Sequence, residues 1–229
     1  MRNCMNGTPD ASLKPYGKRR PAAARFNTEA IPLPQNGFQE RLFFLAAFLS
    51  RPGRIGAIGP SSQALTAEML QGCHLDKMEN VVELGPGTGA LTGAILAQIG
   101  PRTRFLAVEL DEGCVSHLNR KFPRLSIVHD SAENLQSLLK QRGIQHLDCI
   151  ISGLPWASMP DSIQRPTFEA VMKSLRPGGT FRTFAYVHAS WFPTANRFRR
   201  LLEKHFASVG KSRVVWKNLP PAFVYQCVR

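Results

Sequence analysis

The sequence predicts an α/β fold, a mostly parallel sheet covered by helices on both faces, and three observations predict it. From Val81 onward, short β-rich runs alternate with helical stretches of about ten residues. The run Val81-Val82-Glu83-Leu84 leads straight into Gly85-Pro86-Gly87-Thr88-Gly89, a glycine string where a strand turns into a helix. The 229 residues are 43% hydrophobic and 20% charged, which suits one domain with a sizeable core and excludes a disordered or fibrous chain.

Three segments follow in order. Residues 1–35 hold five prolines and the cluster Lys18-Arg19-Arg20 with little hydrophobic periodicity, so they read as a flexible basic arm. Residues 36–72 read as N-terminal helices. The first covers 37–50, with Phe38, Leu42, Leu45 and Leu49 on one stripe and Phe43, Phe44 and Phe48 beside it. Arg51-Pro52-Gly53-Arg54 ends it, and Ser61-Ser62 after Pro60 caps a second helix running to about Gln71.

Residues 73–229 carry the alternation itself. Strands are expected at Val81–Leu84, Arg104–Leu110, Ser126–His129, Leu147–Ser152 and Thr180–Tyr186. Helices are expected at Ala90–Ile99, Gly113–Lys121, Ala132–Arg142 and Ser162–Ser174, and Pro177-Gly178-Gly179 reads as the turn before the fifth strand. A basic helix, Thr194–Phe206, then precedes two strands at Val214–Lys217 and Ala222–Val228, close enough to pair around Pro220-Pro221. The count is seven strands.

Composition narrows the chemistry. The longest uninterrupted apolar run, Leu42 to Leu49, is eight residues, against roughly 20 for a spanning helix. The first residues lack a basic start followed by an apolar stretch, so the expected location is the cytoplasm. Five cysteines at 4, 73, 114, 149 and 227 form no C-x-x-C pair and no histidines cluster, so neither a disulfide scaffold nor a metal site is expected. The net charge of +13 is uneven: residues 1–54 hold nine Lys/Arg against three Asp/Glu, residues 55–164 eight against eleven, and residues 165–229 twelve against two. Basic ends around a mildly acidic centre suit phosphates on lipid or nucleic acid.

The candidate site grows from the glycine string. Glu109 closes the next strand about twenty residues on, where an acid can hold both hydroxyls of a ribose. A dinucleotide site would place a pyrophosphate at the helix start. Glu83 stands at the mouth of this loop, however, and its charge repels phosphate and favours an ammonium. The combination resembles the glycine motif of class I S-adenosylmethionine-dependent methyltransferases, over roughly residues 55–229. That resemblance implies a Rossmann-like seven-stranded sheet and S-adenosyl-L-methionine as cofactor. It implies that Gly85, Gly87 and Gly89 line the cofactor, that Glu83 lies near its methionine amino end and Glu109 at its ribose, and that Asp130, followed by Ser131, meets the adenine amino group.

A second motif, Ser152-Gly153-Leu154-Pro155-Trp156, closes the fourth strand. Amine-methylating class I enzymes carry a polar residue, a proline and an aromatic there, with Ser152 and Gly153 at the cofactor edge and Trp156 facing the substrate. Trp also stabilises alkylammonium and sulfonium charge through its ring face. Gly153 stands where the ribosomal RNA adenine dimethyltransferases have Asn in N-L-P-Y, which weakens a nucleobase reading. Arg51-Pro52-Gly53-Arg54-Ile55-Gly56-Ala57-Ile58-Gly59-Pro60-Ser61-Ser62, E-L-G-P-G-T-G, S-G-L-P-W and the N-L-P-P-A of 218–222 together resemble the bacterial phospholipid N-methyltransferases, which methylate phosphatidylethanolamine towards phosphatidylcholine.

An ethanolamine ammonium must lose a proton before it can attack a methyl group. Tyr186 and His188, placed by strand alternation on one face, are the candidates to orient the amine and accept that proton. A lipid headgroup requires docking on an anionic membrane surface, and both the Leu42–Leu49 helix and the Thr194–Phe206 helix, with Phe198, Leu201, Leu202 and Phe206 beside Arg197, Arg199, Arg200 and Lys204, offer apolar and basic residues together; the first reads equally as a core-packed helix, and the second reads first as a core-facing helix with a solvated basic side. The expected enzyme is a phospholipid amine methyltransferase peripheral on the inner face of the cell membrane. RNA adenine methylation and a catalytically idle module that binds cofactor or membrane are the alternatives.

Overall fold

The computed structural model describes residues 62–229. The arm expected over 1–35, the helix over 37–50 and the R-P-G-R-I-G-A-I-G-P stretch lie outside the described residues. Ser62 is the first of them, and it caps helix α1 (Gln63–Leu70) by accepting the Leu65 N–H on its hydroxyl, as the Pro60-Ser61-Ser62 pattern predicts.

The seven strands are β1 (Asn80–Leu84), β2 (Arg104–Glu109), β3 (Ser126–His129), β4 (Leu147–Ser152), β5 (Leu175–Tyr186), β6 (Ser208–Lys211) and β7 (Ala222–Val228). They form one sheet in the order β3-β2-β1-β4-β5-β7-β6. β1 to β5 run parallel, and β7 is antiparallel to both β5 and β6. Parallel strands need crossovers, and α2 (Ala90–Leu96), α3 (Glu112–Lys121), α4 (Leu135–Gln141) and α5 (Asp161–Ser174) supply them, with α6 (Pro193–His205) between β5 and β6. Strand order reverses beside β1, between the β1–β2 and β1–β4 neighbours, and such a switch point opens a crevice outside the carboxyl ends of the strands.

A period of two divides β1 between two cores. Val81 faces one containing Leu65, Met69, Ile95, Ile151 and Val224, whereas Val82 and Leu84 face another containing Ile150, Trp156, Phe168, Phe181, Phe198 and Leu202. Both sides of the central strands are therefore dry, which explains their unbroken aliphatic runs.

Several boundaries differ from expectation, among them the helix expected at Ala90–Ile99, which ends at Leu96, and three differences have a structural lesson. β6 lies at Ser208–Lys211, not Val214–Lys217, which contributes only a single bridge, Val215 to Ala222. The partner β7 sets this, because Ser208 pairs with Val228 and Lys211 with Tyr225, so the strand must occupy the earlier register. β5 begins at Leu175, with the Pro177-Gly178-Gly179 turn inside it as an irregularity between the Leu147–Leu175 and Cys149–Thr180 pairs. Arg229 braces that turn by accepting the Gly178 N–H and donating to the Gly179 carbonyl. The first turn of the helix expected at 132–142 is a separate 3-10 turn, Ala132–Asn134.

The apolar stripe of α6 is also spent in the core. Phe198 and Leu202 are buried, and Phe198 stacks on Trp156. This is the core-facing reading of the helix, with its basic residues left to solvent, and its apolar face is not free to lie on a membrane. No helix among the described residues is long and apolar enough to cross a membrane.

Candidate active site

The glycine loop follows β1 at the carboxyl edge of the sheet. Gly85, Gly87 and Gly89 all have positive φ, which ordinary side chains avoid. A Cβ on Gly85 would lie 2.7 Å from Leu154 Cδ2, and one on Gly153 would lie 2.5 Å from the Gly85 carbonyl oxygen. Gly85 N–H donates to Val108 and Gly153 N–H to Leu84. The ends of β1 and β4 thus meet backbone against backbone, and the glycine that departs from the N-L-P-Y pattern is the residue that allows it.

Two acids close the neighbouring strands. Glu83 is fully buried; its Oε2 accepts the Thr92 hydroxyl at 2.7 Å, while Oε1 has no partner. Burial, opposed by the Thr92 bond and reinforced by Glu109, pushes its carboxyl up to about 8. Glu109 is 1% exposed. Its Oε2 accepts the Gly87 N–H at 2.9 Å, and its Oε1 accepts the N–H groups of Leu110 at 2.8 Å and Asp111 at 3.0 Å. Burial raises its pKa despite these three bonds. The residue expected at a ribose therefore already fastens the glycine loop to the turn after β2, with about one of its four acceptor positions left over.

Asp130 follows β3, its Oδ1 accepting from Ser131 N–H and from the Asn134 amide, both at 2.7 Å, and Ser131 caps the 3-10 turn behind it. Glu83, Glu109 and Asp130 stand at three successive strand ends along one edge.

At the end of β4, Ser152 Oγ accepts the Trp156 indole N–H at 3.0 Å and the Leu154 N–H at 3.3 Å. Trp156 is 1% exposed, stacked on Phe198 at 4.6 Å and met edge-on by Phe168 and Phe181. The expectation that its ring face receives the substrate is corrected: the aromatic partners of α5, α6 and β5 cover it, and its work is to hold the S-G-L-P-W turn. Tyr186 belongs to the opposite core, so the three residues expected to act together lie on two faces of the sheet. Tyr186 and His188 do meet, their rings stacked at 5.7 Å and 18°. Strand alternation is not the cause, because β5 ends at Tyr186 and a 3-10 turn, Val187–Trp191, brings His188 over it. Burial pushes the Tyr186 hydroxyl up to about 12, and His188 is exposed.

Four positioning residues escaped the sequence reading. Thr92 orients Glu83. The buried Gln164 amide donates to the Trp156 carbonyl at 2.7 Å, and the Thr183 hydroxyl donates to the Ser152 carbonyl at 3.1 Å. Asn218 accepts the Ser62 N–H at 3.0 Å and donates to Pro220 at 2.7 Å, so the two distant motifs ending in Ser62 and beginning at Asn218 are joined directly. Only Asn218 left a signal, its place in N-L-P-P-A. Beside Trp156 a cavity of about 170 Å³ is lined by Phe184, Asn196, Arg199, Lys211 and Tyr225.

This strand order, the glycine loop after β1 and the acids closing β1 and β2 define a class I methyltransferase, the class whose cofactor is S-adenosylmethionine. The residues fit that cofactor. Glu83 offers an unpartnered buried oxygen to a cationic amine, and the positive-φ turns at Gly85, Gly87 and Gly89 present bare backbone beside it.

Comparison with known proteins agrees. Residues 81–179 match the family described as a methyltransferase domain. The ornithine lipid N-methyltransferase of Singulisphaera acidiphila is 32% identical over 187 residues, 80% of this chain and 93% of that protein. At that identity and coverage the chain belongs to the same family, the lipid N-methyltransferases within class I. The ribosomal RNA small subunit methyltransferase A of Burkholderia thailandensis is 39% identical over 56 residues, only 24% of this chain and 20% of that protein. Among solved structures, the 1,6-didemethyltoxoflavin-N1-methyltransferase of Burkholderia thailandensis, with S-adenosylhomocysteine bound, has a TM-score of 0.60 at 21% identity, covering 87% of this chain and 93% of that one. The O-methyltransferase TomG of Streptomyces achromogenes has a TM-score of 0.57 at 13% identity, with the same coverages. Both show the fold.

Proposed function

We propose that this protein transfers methyl groups from S-adenosylmethionine to the primary amine of a membrane-lipid headgroup, acting at the membrane surface. The observation that carries this reading is the 32% identity, spread over 93% of its length, to an enzyme that methylates an amine lipid. Phosphatidylethanolamine is the acceptor the motif resemblance suggests, and ornithine lipid is the one named for the relative. Both present an amine a few bonds from an anionic group, the shared chemistry by which an acceptor site would recognise either.

When bound, the cofactor supplies an electrophilic methyl group on a sulfonium. Gly85, Gly87 and Gly89 would give it a backbone-lined seat, the unpartnered Oε1 of Glu83 would receive its amine end, and Glu109 and Asp130 would border ribose and adenine. The headgroup ammonium must shed a proton to expose its lone pair. Tyr186, with its hydroxyl pushed up to about 12, stays protonated at neutral pH and orients the amine as a hydrogen-bonding group; the exposed His188 imidazole stacked on it takes the proton. Burial of this edge on lipid lowers the ammonium's own pKa and eases the same step.

The test is incubation with methyl-labelled S-adenosylmethionine and, in parallel, vesicles containing phosphatidylethanolamine, vesicles containing ornithine lipid, and total RNA. Label in either lipid extract is the expected result, and the two lipid arms identify the headgroup. Label in RNA alone contradicts the reading.

A further inference from the structure

Five large apolar side chains are exposed among the described residues, and four of them fall in two loops. Trp191 (83% exposed) and Phe192 (46%) follow β5; Trp216 (75%) and Leu219 (79%) lie in the loop between β6 and β7. The sheet brings these loops together. Tyr186 at the end of β5 pairs with Ala222 at the start of β7, and the Val187 N–H donates to the Pro221 carbonyl at 2.9 Å. Since β1, β4 and β5 run parallel, this is the same edge on which Gly85 and Gly153 close their strands. Water-facing tryptophans at a catalytic edge cost free energy unless something covers them.

The charge around them says what does. Residues 204–229 contain five Lys/Arg and no Asp/Glu. Lys211, Arg213 and Lys217, in and beside the Trp216 loop, are exposed, and none has a carboxylate partner among the described residues. Trp rings at two loop tips with cations behind them match a lipid interface, where indole sits at headgroup level and ammonium or guanidinium meets anionic lipid. A protein partner would be recognised by a more continuous apolar face than two loop tips provide.

We propose that Trp191, Phe192, Trp216 and Leu219 form a two-loop anchor that docks the carboxyl edge of the sheet onto an anionic bilayer. The proposal rests on the lipid-amine reading above for its purpose, although the surface itself stands on exposure and charge. Docking by these tips presents the crevice between β1 and β4 to the headgroup layer, so a lipid amine can reach the site while its acyl chains stay in the membrane.

The experiment compares the full-length protein with W191S/W216S and F192S/L219S. Each is measured for co-sedimentation with vesicles of phosphatidylcholine alone and with added phosphatidylglycerol, for cofactor affinity by calorimetry, and for methylation of lipid in mixed detergent micelles. Both variants are expected to lose about tenfold or more in affinity for the anionic vesicles, with cofactor affinity unchanged. In the wild type, the two exposed indoles are expected to be quenched by brominated lipid. Vesicle affinity equal to wild type in both variants overturns the anchor, even if micellar lipid is methylated and the functional reading stands. Loss of vesicle binding in a protein that methylates no lipid supports the anchor and overturns the functional reading. A change of oligomeric state in the variants with vesicle binding intact assigns the loops to a second copy and overturns the proposal.

Discussion

The two halves of the sheet build their parts of the site from different materials. On the β1–β2–β3 side the chain uses backbone and acids: glycines of positive φ, Glu109 accepting three N–H groups, Glu83 buried against Thr92. On the β4–β5–β7 side it uses rings, with Trp156, Phe168, Phe181, Phe198 and Tyr225 in mutual contact beneath the S-G-L-P-W turn. A cofactor of constant shape can be met by fixed backbone donors and a few charges. An acceptor that differs between enzymes is met by turns whose position depends on side-chain packing. The difference teaches that damage to the first half should appear as lost cofactor affinity, and damage to the second as lost stability.

Trp156→Ala carries the largest expected effect. It empties a buried ring site and removes the indole N–H from Ser152 Oγ, and the expected cost is about 3–5 kcal/mol of folding stability, read from urea unfolding. Trp156→Phe should recover most of it. A loss below about 1 kcal/mol would break the comparison by showing that the rings do not hold the acceptor half. Gly153→Asn comes next, since its Cβ would lie 2.5 Å from the Gly85 carbonyl oxygen. The strain expected from such overpacking is about 1–3 kcal/mol, and because Gly153 is where the two halves touch, it should appear in both readouts, as a lower urea midpoint and as weaker cofactor binding.

Glu109→Gln sharpens the distinction further. The amide substitutes a donor for one acceptor oxygen against backbone N–H groups, at an expected cost of about 1–3 kcal/mol. Calorimetry should place that cost in cofactor binding, with a smaller change in urea midpoint than Trp156→Ala produces. The effect at Glu83 is of another kind, because it depends on pH. With its carboxyl at about 8, the folded chain retains a proton that the unfolded chain has lost above the ordinary carboxylate range. The cofactor-free protein should therefore lose stability as pH rises through that window and level off above about 8, and Glu83→Gln should flatten the slope. Binding an ammonium favours the carboxylate, so cofactor binding at pH 7 should release a fraction of a proton, measured by calorimetry in buffers of different ionisation enthalpy.

The same division decides what could be read from the amino acids. Glycine spacing, the acids at strand ends and the Ser62 cap are local patterns with local causes, and they appear where expected. The register of β6 is set by pairing with β7 across the intervening loop, which no local window contains. The stripe of α6 was visible as a stripe, but whether Phe198 meets lipid or Trp156 depends on where α5 and β5 place their own rings. Burial of Trp156 was illegible for the same reason: S-G-L-P-W shows an aromatic at a strand end, and only tertiary packing turns its face inward. Tyr186 and His188 were paired correctly by position and wrongly by cause, since a 3-10 turn brings them together.

The most direct measurement is tandem mass spectrometry of lipids recovered after incubating the full-length protein with S-adenosylmethionine and vesicles of mixed amine lipid. The account predicts a headgroup fragment heavier by one or more methyl groups on its nitrogen, with acyl fragments unchanged. Methylation confined to RNA, to an acyl chain or to no component of the vesicles would contradict it.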